Sequence, residues 1–123
     1  MEIKRLLTNV CSKDLNRSKD FYTSLFSFSV EYESDWFIHL ISRGRALELG
    51  IIQECHEIVP EPSRGSVSGA YLTFVVEDVD RLYLEAKHLG CHTVQAPTDT
   101  FYGQKRMLLE APEGSIVDVS STT

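Results

Sequence analysis

The sequence lacks any apolar run long enough to cross a membrane, which takes roughly 18–20 residues. Its first residues, MEIKRLLTNVCSKD, also lack the apolar core of a secretory signal peptide. Basic residues are few, because 12 lysines and arginines against 18 acidic residues give a net charge of −6. We therefore expect neither a membrane protein nor a protein that binds nucleic acid through a basic surface.

Cysteine is also scarce, and its pattern does not suggest disulfide bonds. The three cysteines, Cys11, Cys55 and Cys91, are odd in number and form no C-x-x-C pair, so a reducing cytoplasm is the expected location. Glycine-rich phosphate loops, H-E-x-x-H zinc motifs and G-x-S-x-G nucleophile motifs are absent from the sequence. What remains is a chain of 123 residues with the size of a single domain.

A repeated helix pattern divides this chain in two. Asp14 is a good N-cap residue and precedes apolar residues at helical spacing. Asp78 begins the same pattern 64 residues later, so that D-L-N-R aligns with D-V-D-R. The same offset aligns Leu25 with Leu89. A shared offset that includes flanking positions indicates an internal duplication.

Strand-like segments surround each predicted helix and give both halves the order βαβββ. Module one is predicted to span 1–52 and module two 69–123, with a linker rich in proline, glycine and serine at 53–68. The first predicted helix begins after Asp14, and the second spans 79–89. The predicted strands are 3–11, 27–33, 36–42, 46–52, 70–77, 92–95, 105–110 and 115–120.

Turn signals predict how two hairpins pair. The turns at 42–45 and 111–114 would place His39 opposite Glu48, and Met107 opposite Asp118. A carboxylate on an apolar sheet face costs free energy unless it is paired or solvated, so each indicates a cleft. Alternation gives Glu48 a face with Phe37, His39, Ile41, Ala46 and Gly50, and gives Asp118 a face with Lys105, Met107, Leu109, Ile116 and Ser120.

Four stretches of the sequence have a pattern typical of one known family: KDLNRSKDFY at 13–22, LTFVVEDVD at 72–80, YGQKR at 102–106 and APEGSIVDV at 111–119. They resemble the vicinal oxygen chelate superfamily, the glyoxalase/bleomycin-resistance/dioxygenase proteins. This resemblance implies an α+β fold in which two βαβββ modules form a curved sheet around a cleft. It also implies a homodimer that binds a small molecule.

The resemblance also identifies the positions where metal-using members carry their ligands, on the first and last strands of each module. The last-strand positions hold Glu48 and Asp118, but the first-strand positions hold Leu7 and Tyr71 instead of histidine. Leucine cannot bind a metal, and a phenol is a weak ligand because its pKa is near about 10. His39 would add a nitrogen ligand if it pairs with Glu48. The alternative role for His39 is a hydrogen bond across the strands.

The candidate catalytic residues are therefore Glu48 and Asp118, as groups for ligand recognition or general acid–base chemistry. The alternative is a structural role, with each carboxylate held by an arginine or lysine and Lys105 close to Asp118. Aromatic residues line the cleft in several members of the family, although core or interface packing would also explain those found here. The candidate ligand-binding residues are Trp36, Phe37, His39, Tyr71, Phe101, Tyr102 and Met107.

The sequence thus predicts a cytoplasmic protein that binds an aromatic or cationic small molecule without a complete metal site or other cofactor. The alternative is a lyase, isomerase or dioxygenase that uses a divalent metal bound through Glu48 and Asp118.

Overall fold

The computed structural model describes residues 1–65 and 68–122, except for the side chain of Arg45. The chain divides into two compact units, Met1–Ser66 (unit one) and Val67–Thr123 (unit two). Each unit contains one helix and a four-stranded sheet with the same strand order. The predicted α+β fold of two βαβββ modules is confirmed.

The two sheets have matching topologies, β1-β4-β3-β2 in unit one and β5-β8-β7-β6 in unit two. In each sheet the first strand pairs in parallel with the last strand, and the remaining pairs are antiparallel. The elements are β1 (Thr8–Ser12), α1 (Leu15–Phe26), β2 (Ser29–Glu33), β3 (Phe37–Ile41), β4 (Glu48–Gln53), β5 (Leu72–Val75), α2 (Val79–His88), β6 (His92–Asp99), β7 (Gln104–Glu110) and β8 (Ile116–Thr122).

Equivalent N-caps begin the two helices. Asp14 Oδ1 accepts a hydrogen bond from the backbone N–H of Arg17, and Asp78 Oδ1 accepts one from that of Arg81, both at 3.1 Å. These bonds satisfy donors that the first helical turn leaves unpaired. The repeat read from the sequence therefore has an equivalent local structure in both units.

Each helix packs on one face of its own sheet. The side chains that meet there alternate along the strands, as one buried face of a sheet requires. In unit one the buried side chains are Phe21, Tyr22, Leu25, Ile38, Leu40, Leu49 and Ile51, and in unit two they are Val79, Leu82, Ala86, Met107, Leu109, Val117 and Val119. We call the opposite face of each sheet, away from its own helix, the far face.

The first predicted strand, 3–11, was wrong at its beginning. The strand starts at Thr8, which pairs with Leu49, and residues 1–7 form no regular secondary structure. Its partner β4 begins at Glu48, so the chain before Leu7 has no strand beside it. Arg5 consequently lies in an irregular segment, which matters for the site described below.

The register predicted for the first hairpin was wrong by two residues. His39 pairs with Gly50 and Glu48 pairs with Ile41, because residues 42–47 form a longer loop that contains a 3₁₀ turn. A shift of two residues keeps every side chain on its predicted face, since the side-chain period of a strand is two. Glu48 and His39 therefore still share the far face of unit one.

The register predicted for the second hairpin was wrong by one residue, which reverses the faces of β7 relative to β8. Met107 pairs with Val119, and Asp118 pairs with Leu108. The cause is an odd-numbered loop at 112–114, closed by a hydrogen bond from Ala111 N–H to the Ser115 carbonyl at 2.8 Å. The predicted face that joined Lys105, Met107 and Leu109 to Asp118 is therefore wrong.

The first part of the predicted linker belongs to unit one. Val59 is buried, and the imidazole of His56 stacks on Trp36 with ring centroids 4.0 Å apart. Residues 66 and 67 of that predicted linker lie outside the described residues. Within the described part of the chain, no helix has the length and apolar character needed to span a membrane.

Candidate functional site

The far face of unit one holds a three-residue polar cluster centred on Glu48. This residue begins β4, and its side chain is only 13% exposed. Its carboxylate accepts hydrogen bonds from Arg5 Nε at 2.6 Å, from Arg5 Nη2, and from His39 Nε2 at 2.8 Å. Arg5 Nη2 also lies 3.3 Å from His39 Nε2, so all three side chains are in mutual contact.

The charge on Glu48 is fixed by these partners. The pKa of Glu48 is lowered to about 2, mainly by the hydrogen bonds from Arg5 and also by the one from His39. The same contact raises the pKa of Arg5. Glu48 is therefore anionic at neutral pH, whereas an efficient general acid or base has a pKa near the working pH.

Gly50 allows an amide to lie beside this cluster. A Cβ at Gly50 would be 2.1 Å from Asn9 Oδ1 and 2.9 Å from Cε1 of Phe37. Asn9 pairs with Gly50 in β1, and Gly50 pairs with His39 in β3. The far face of unit one thus carries an amide, an imidazole and an aromatic ring in adjacent positions.

Sequence reasoning missed both Asn9 and Arg5. The alternation of strand side chains could have identified Asn9, which lies two residues after Leu7 in the strand predicted at 3–11. Arg5 lies two residues before Leu7, but it precedes the strand and is 59% exposed. No local pattern predicts that its side chain reaches Glu48, 43 residues away in the sequence.

Unit two has a corresponding carboxylate at Asp118, near the middle of β8. The residue is 6% exposed and pairs with Leu108 in β7. Its Oδ1 accepts from Arg106 Nε at 3.1 Å and from Ser120 Oγ at 3.0 Å, and its Oδ2 accepts from Thr73 Oγ1 at 2.9 Å. The buried charge is thus compensated by one cation and two hydroxyl groups, as burial of a charge requires.

Lys105 does not contact Asp118, contrary to the alternative drawn from the sequence. Its Nζ donates to Asp80 Oδ2 at 2.8 Å, on the helix side of the sheet, and this contact raises the pKa of Lys105. Arg106 takes the expected place, because the one-residue change of register brings it onto the far face. The expectation of a carboxylate held by a basic side chain is met, but by a different residue.

Only some of the predicted ligand-binding residues come together. Phe37 and His39 share the far face with Glu48, and the ring of Trp36 lies 5.7 Å from that of Phe37. Met107 is fully buried on the helix side of unit two, opposite Val119, so it does not accompany Asp118.

The remaining three predicted residues are exposed. Tyr71 is 60% exposed and lies immediately before β5. Phe101 and Tyr102 form the tip of the hairpin between β6 and β7, where they are 99% and 54% exposed. Their rings contact each other edge to face at 5.1 Å. A role for these three residues in ligand binding stays a prediction.

The metal-ligand positions implied by the family resemblance hold few suitable donors. In residues 1–65 and 68–122, no group of three or more His, Cys, Asp and Glu side chains is arranged to hold a metal ion. Glu48 and Asp118 are each already bound by an arginine. Leu7 offers no donor atom.

A family model, the Glyoxalase/Bleomycin resistance protein/Dioxygenase superfamily, matches residues 4–119. The chain belongs to this superfamily. The resemblance read from the sequence stretches is thereby confirmed. No curated protein matches the chain.

Several solved structures have the same fold. A glyoxalase/bleomycin resistance protein/dioxygenase family enzyme from Burkholderia phytofirmans is 24% identical, with a TM-score of 0.81 over 95% of this chain and 97% of that one. A hypothetical protein from S. aureus is 20% identical, with a TM-score of 0.81 over 98% and 95%. A lactoylglutathione lyase from Agrobacterium tumefaciens is 18% identical, with a TM-score of 0.73 over 95% and 92%. At these identities the likeness establishes the fold, and one fold hosts many activities.

Proposed function

We propose that this superfamily member binds an aromatic or cationic small molecule, without the help of a divalent metal, on the far faces of its sheets. One observation carries the proposal. Both last-strand carboxylates, Glu48 and Asp118, are bound by arginines of the same unit. Each carboxylate is therefore already paired with a cationic side chain, in the place where a metal ion would be its partner.

The donor chemistry supports this proposal. A divalent metal at Glu48 would compete with the two-point contact from Arg5, and arginine–carboxylate pairs of this kind are among the stronger hydrogen-bonded pairs in proteins. Transition metals prefer sites that combine imidazole and carboxylate ligands. Among the residues that the structure describes, His39 provides the imidazole in contact with Glu48. The residues at the first-strand positions, Leu7 and Tyr71, do not complete such a set.

The aromatic part of the proposal rests on unit one. Trp36 and Phe37 are half-buried with their rings 5.7 Å apart, and Phe37 shares the far face with Glu48 and His39. Ligand sites commonly combine such aromatic walls with a few convergent polar groups.

Thermal-shift measurements on the protein purified without a chelator, together with elemental analysis, test this proposal. We expect substoichiometric metal, and aromatic fragments that raise Tm equally with and without EDTA. Stoichiometric Zn, Fe, Mn or Ni that is lost in the E48Q and D118N variants would overturn it. That result would support the alternative, a metal-dependent lyase, isomerase or dioxygenase.

We also propose a homodimer in the cytoplasm. The exposed apolar side chains Tyr71 and Val75, at 60% and 73%, lie at or beside the edge strand β5 and would be covered in a dimer. Light scattering coupled to size-exclusion chromatography tests the assembly. A monomer mass at about 50 μM, well above the Kd of a stable dimer, would contradict it.

A further inference from the structure

The two buried carboxylates share one feature that bears on the charge of the ligand. In both units the carboxylate is bound by the Nε atom of an arginine, Arg5 for Glu48 and Arg106 for Asp118. Bonding through Nε leaves other N–H groups of a guanidinium for a second partner, because arginine has five donors in a fixed plane.

Arg106 is the arginine that keeps N–H groups available for a second partner. It lies in the middle strand pair of unit two, and its side chain is 29% exposed while that of Asp118 is 9% exposed. Among the described residues, neither η nitrogen of Arg106 has a hydrogen-bond partner, whereas Asp118 already accepts three bonds. Three of the roughly four acceptor sites of the carboxylate are thus occupied, whereas the η N–H groups of Arg106 have no partner among the described residues.

We propose that Arg106 is the ligand-recognition residue of unit two, held in place by Asp118, and that the group it binds is an anion with paired oxygens, a carboxylate or a phosphate. The planar guanidinium matches such groups through two parallel hydrogen bonds. Asp118 is then a positioning residue and not the group that meets the ligand.

The surroundings of Arg106 fit an anion attached to an organic body. Ser120 and Thr98 are its neighbours across the strands, and Leu108 follows on the same face beside Asp118. Both hydroxyls already donate, Ser120 Oγ to Asp118 Oδ1 and Thr98 Oγ1 to the Ala96 carbonyl. The donors to an anion are therefore those of Arg106, and the half-buried leucine provides apolar contact. Although the net charge is −6, charges more than about 8–10 Å away are largely screened at physiological salt. The nearby charges are those of Arg106 and Asp118, and Arg106 is the more exposed of the two.

This inference rests on the proposed function, the binding of an aromatic small molecule on the far faces, and in unit two it replaces the cationic option with an anionic group. Four probes share one ring and differ in charge: benzoate and phenyl phosphate are anions, benzamide is neutral and benzamidine is a cation. Titration calorimetry or ligand-observed NMR on the full chain should rank the two anions above benzamide, and benzamidine last. The relative affinity of the two anions distinguishes a carboxylate from a phosphate ligand.

Four variants assign the preference to Arg106. The R106Q variant should bind benzoate ~10-fold or more weakly, because a charge-assisted two-point contact is lost. R106K should be intermediate, because lysine keeps the charge but not the planar fork. D118N should weaken benzoate binding by about 3-fold, less than R106Q does, because the guanidinium keeps its charge but loses the contact that positions it. R81Q, at an exposed arginine on α2, is the matched control and should bind like the wild type.

Opposite results overturn the inference. Stronger binding of benzamidine than of benzoate would show that a carboxylate, not Arg106, meets the ligand. The inference would also be overturned if D118N weakened benzoate binding as much as R106Q or more. It would be overturned equally if R106Q bound benzoate within ~2-fold of the wild type. Circular dichroism confirms that each variant is folded. Failure of all four probes to bind would instead overturn the proposed function itself.

Discussion

The contact between Arg106 and Asp118 should make a measurable contribution to the stability of the fold. Asp118 Oδ1 lies 3.1 Å from Arg106 Nε, and the two side chains are 9% and 29% exposed. Exposed ion pairs contribute about 0.2–1 kcal/mol, whereas breaking a fully buried pair costs about 3–5 kcal/mol. A pair between these limits should have a coupling free energy of about 1–2 kcal/mol.

A double-mutant cycle measures this value. D118N alone should lower the free energy of unfolding by about 2–3 kcal/mol, because the arginine loses a charged partner while the hydroxyls of Thr73 and Ser120 can still bond to the amide. R106Q alone should cost about 2 kcal/mol, since a buried carboxylate keeps only its two hydroxyl donors. The D118N/R106Q double variant should cost about 1–2 kcal/mol less than the two together.

Urea unfolding followed by far-UV circular dichroism is the assay, since it reports on both units. The fluorescence of Trp36, the single tryptophan, follows unit one and shows whether that unit responds to changes made in unit two. Additivity within about 0.5 kcal/mol would refute the reasoning, because it would mean that the two side chains do not interact in solution. A larger loss in the double variant than in the two singles together would refute it equally.

Three other predictions follow from single contacts. The lowered pKa of Glu48, about 2, gives stability that is present above the usual carboxyl pKa of about 4.3 and is lost as the pH falls through 2. The decrease in Tm between about pH 6 and pH 3 should therefore be smaller in E48Q than in the wild type, and an equal decrease would contradict this. G50A should destabilise the protein by about 1–3 kcal/mol, and N9A/G50A should recover part of the loss in urea unfolding because the amide that a Cβ meets at 2.1 Å is removed; no recovery would show that Asn9 is not the obstacle. D14A and D78A should each cost about 1 kcal/mol in the same assay, since each removes an N-cap bond of 3.1 Å, and a loss in only one variant would mean that the two caps are not equivalent.

The hairpin registers show where sequence reasoning stops. The turn residues predicted the positions of both loops, but the strand pairing depends on the loop length. The hydrogen bond from Ala111 N–H to the Ser115 carbonyl, which closes the second loop, cannot be predicted from the turn residues. An error of one residue moved Met107 away from Asp118, and an error of two left His39 near Glu48. Strand parity therefore decides whether a predicted site residue stays with its partners.

The sequence by itself determined the duplication, the two capped helices, the α+β class and the two carboxylates, because local patterns at periods of 2 and 3.6 residues and a constant offset contain that information. Only the tertiary structure decided what the carboxylates do. Arg5 lies 43 residues from Glu48 and Arg106 lies 12 residues from Asp118, and neither pair follows from a local rule. Strand pairing brings Arg106 to Asp118, and the irregular segment before β1 brings Arg5 to Glu48. A buried charge is costly unless such a partner reaches it.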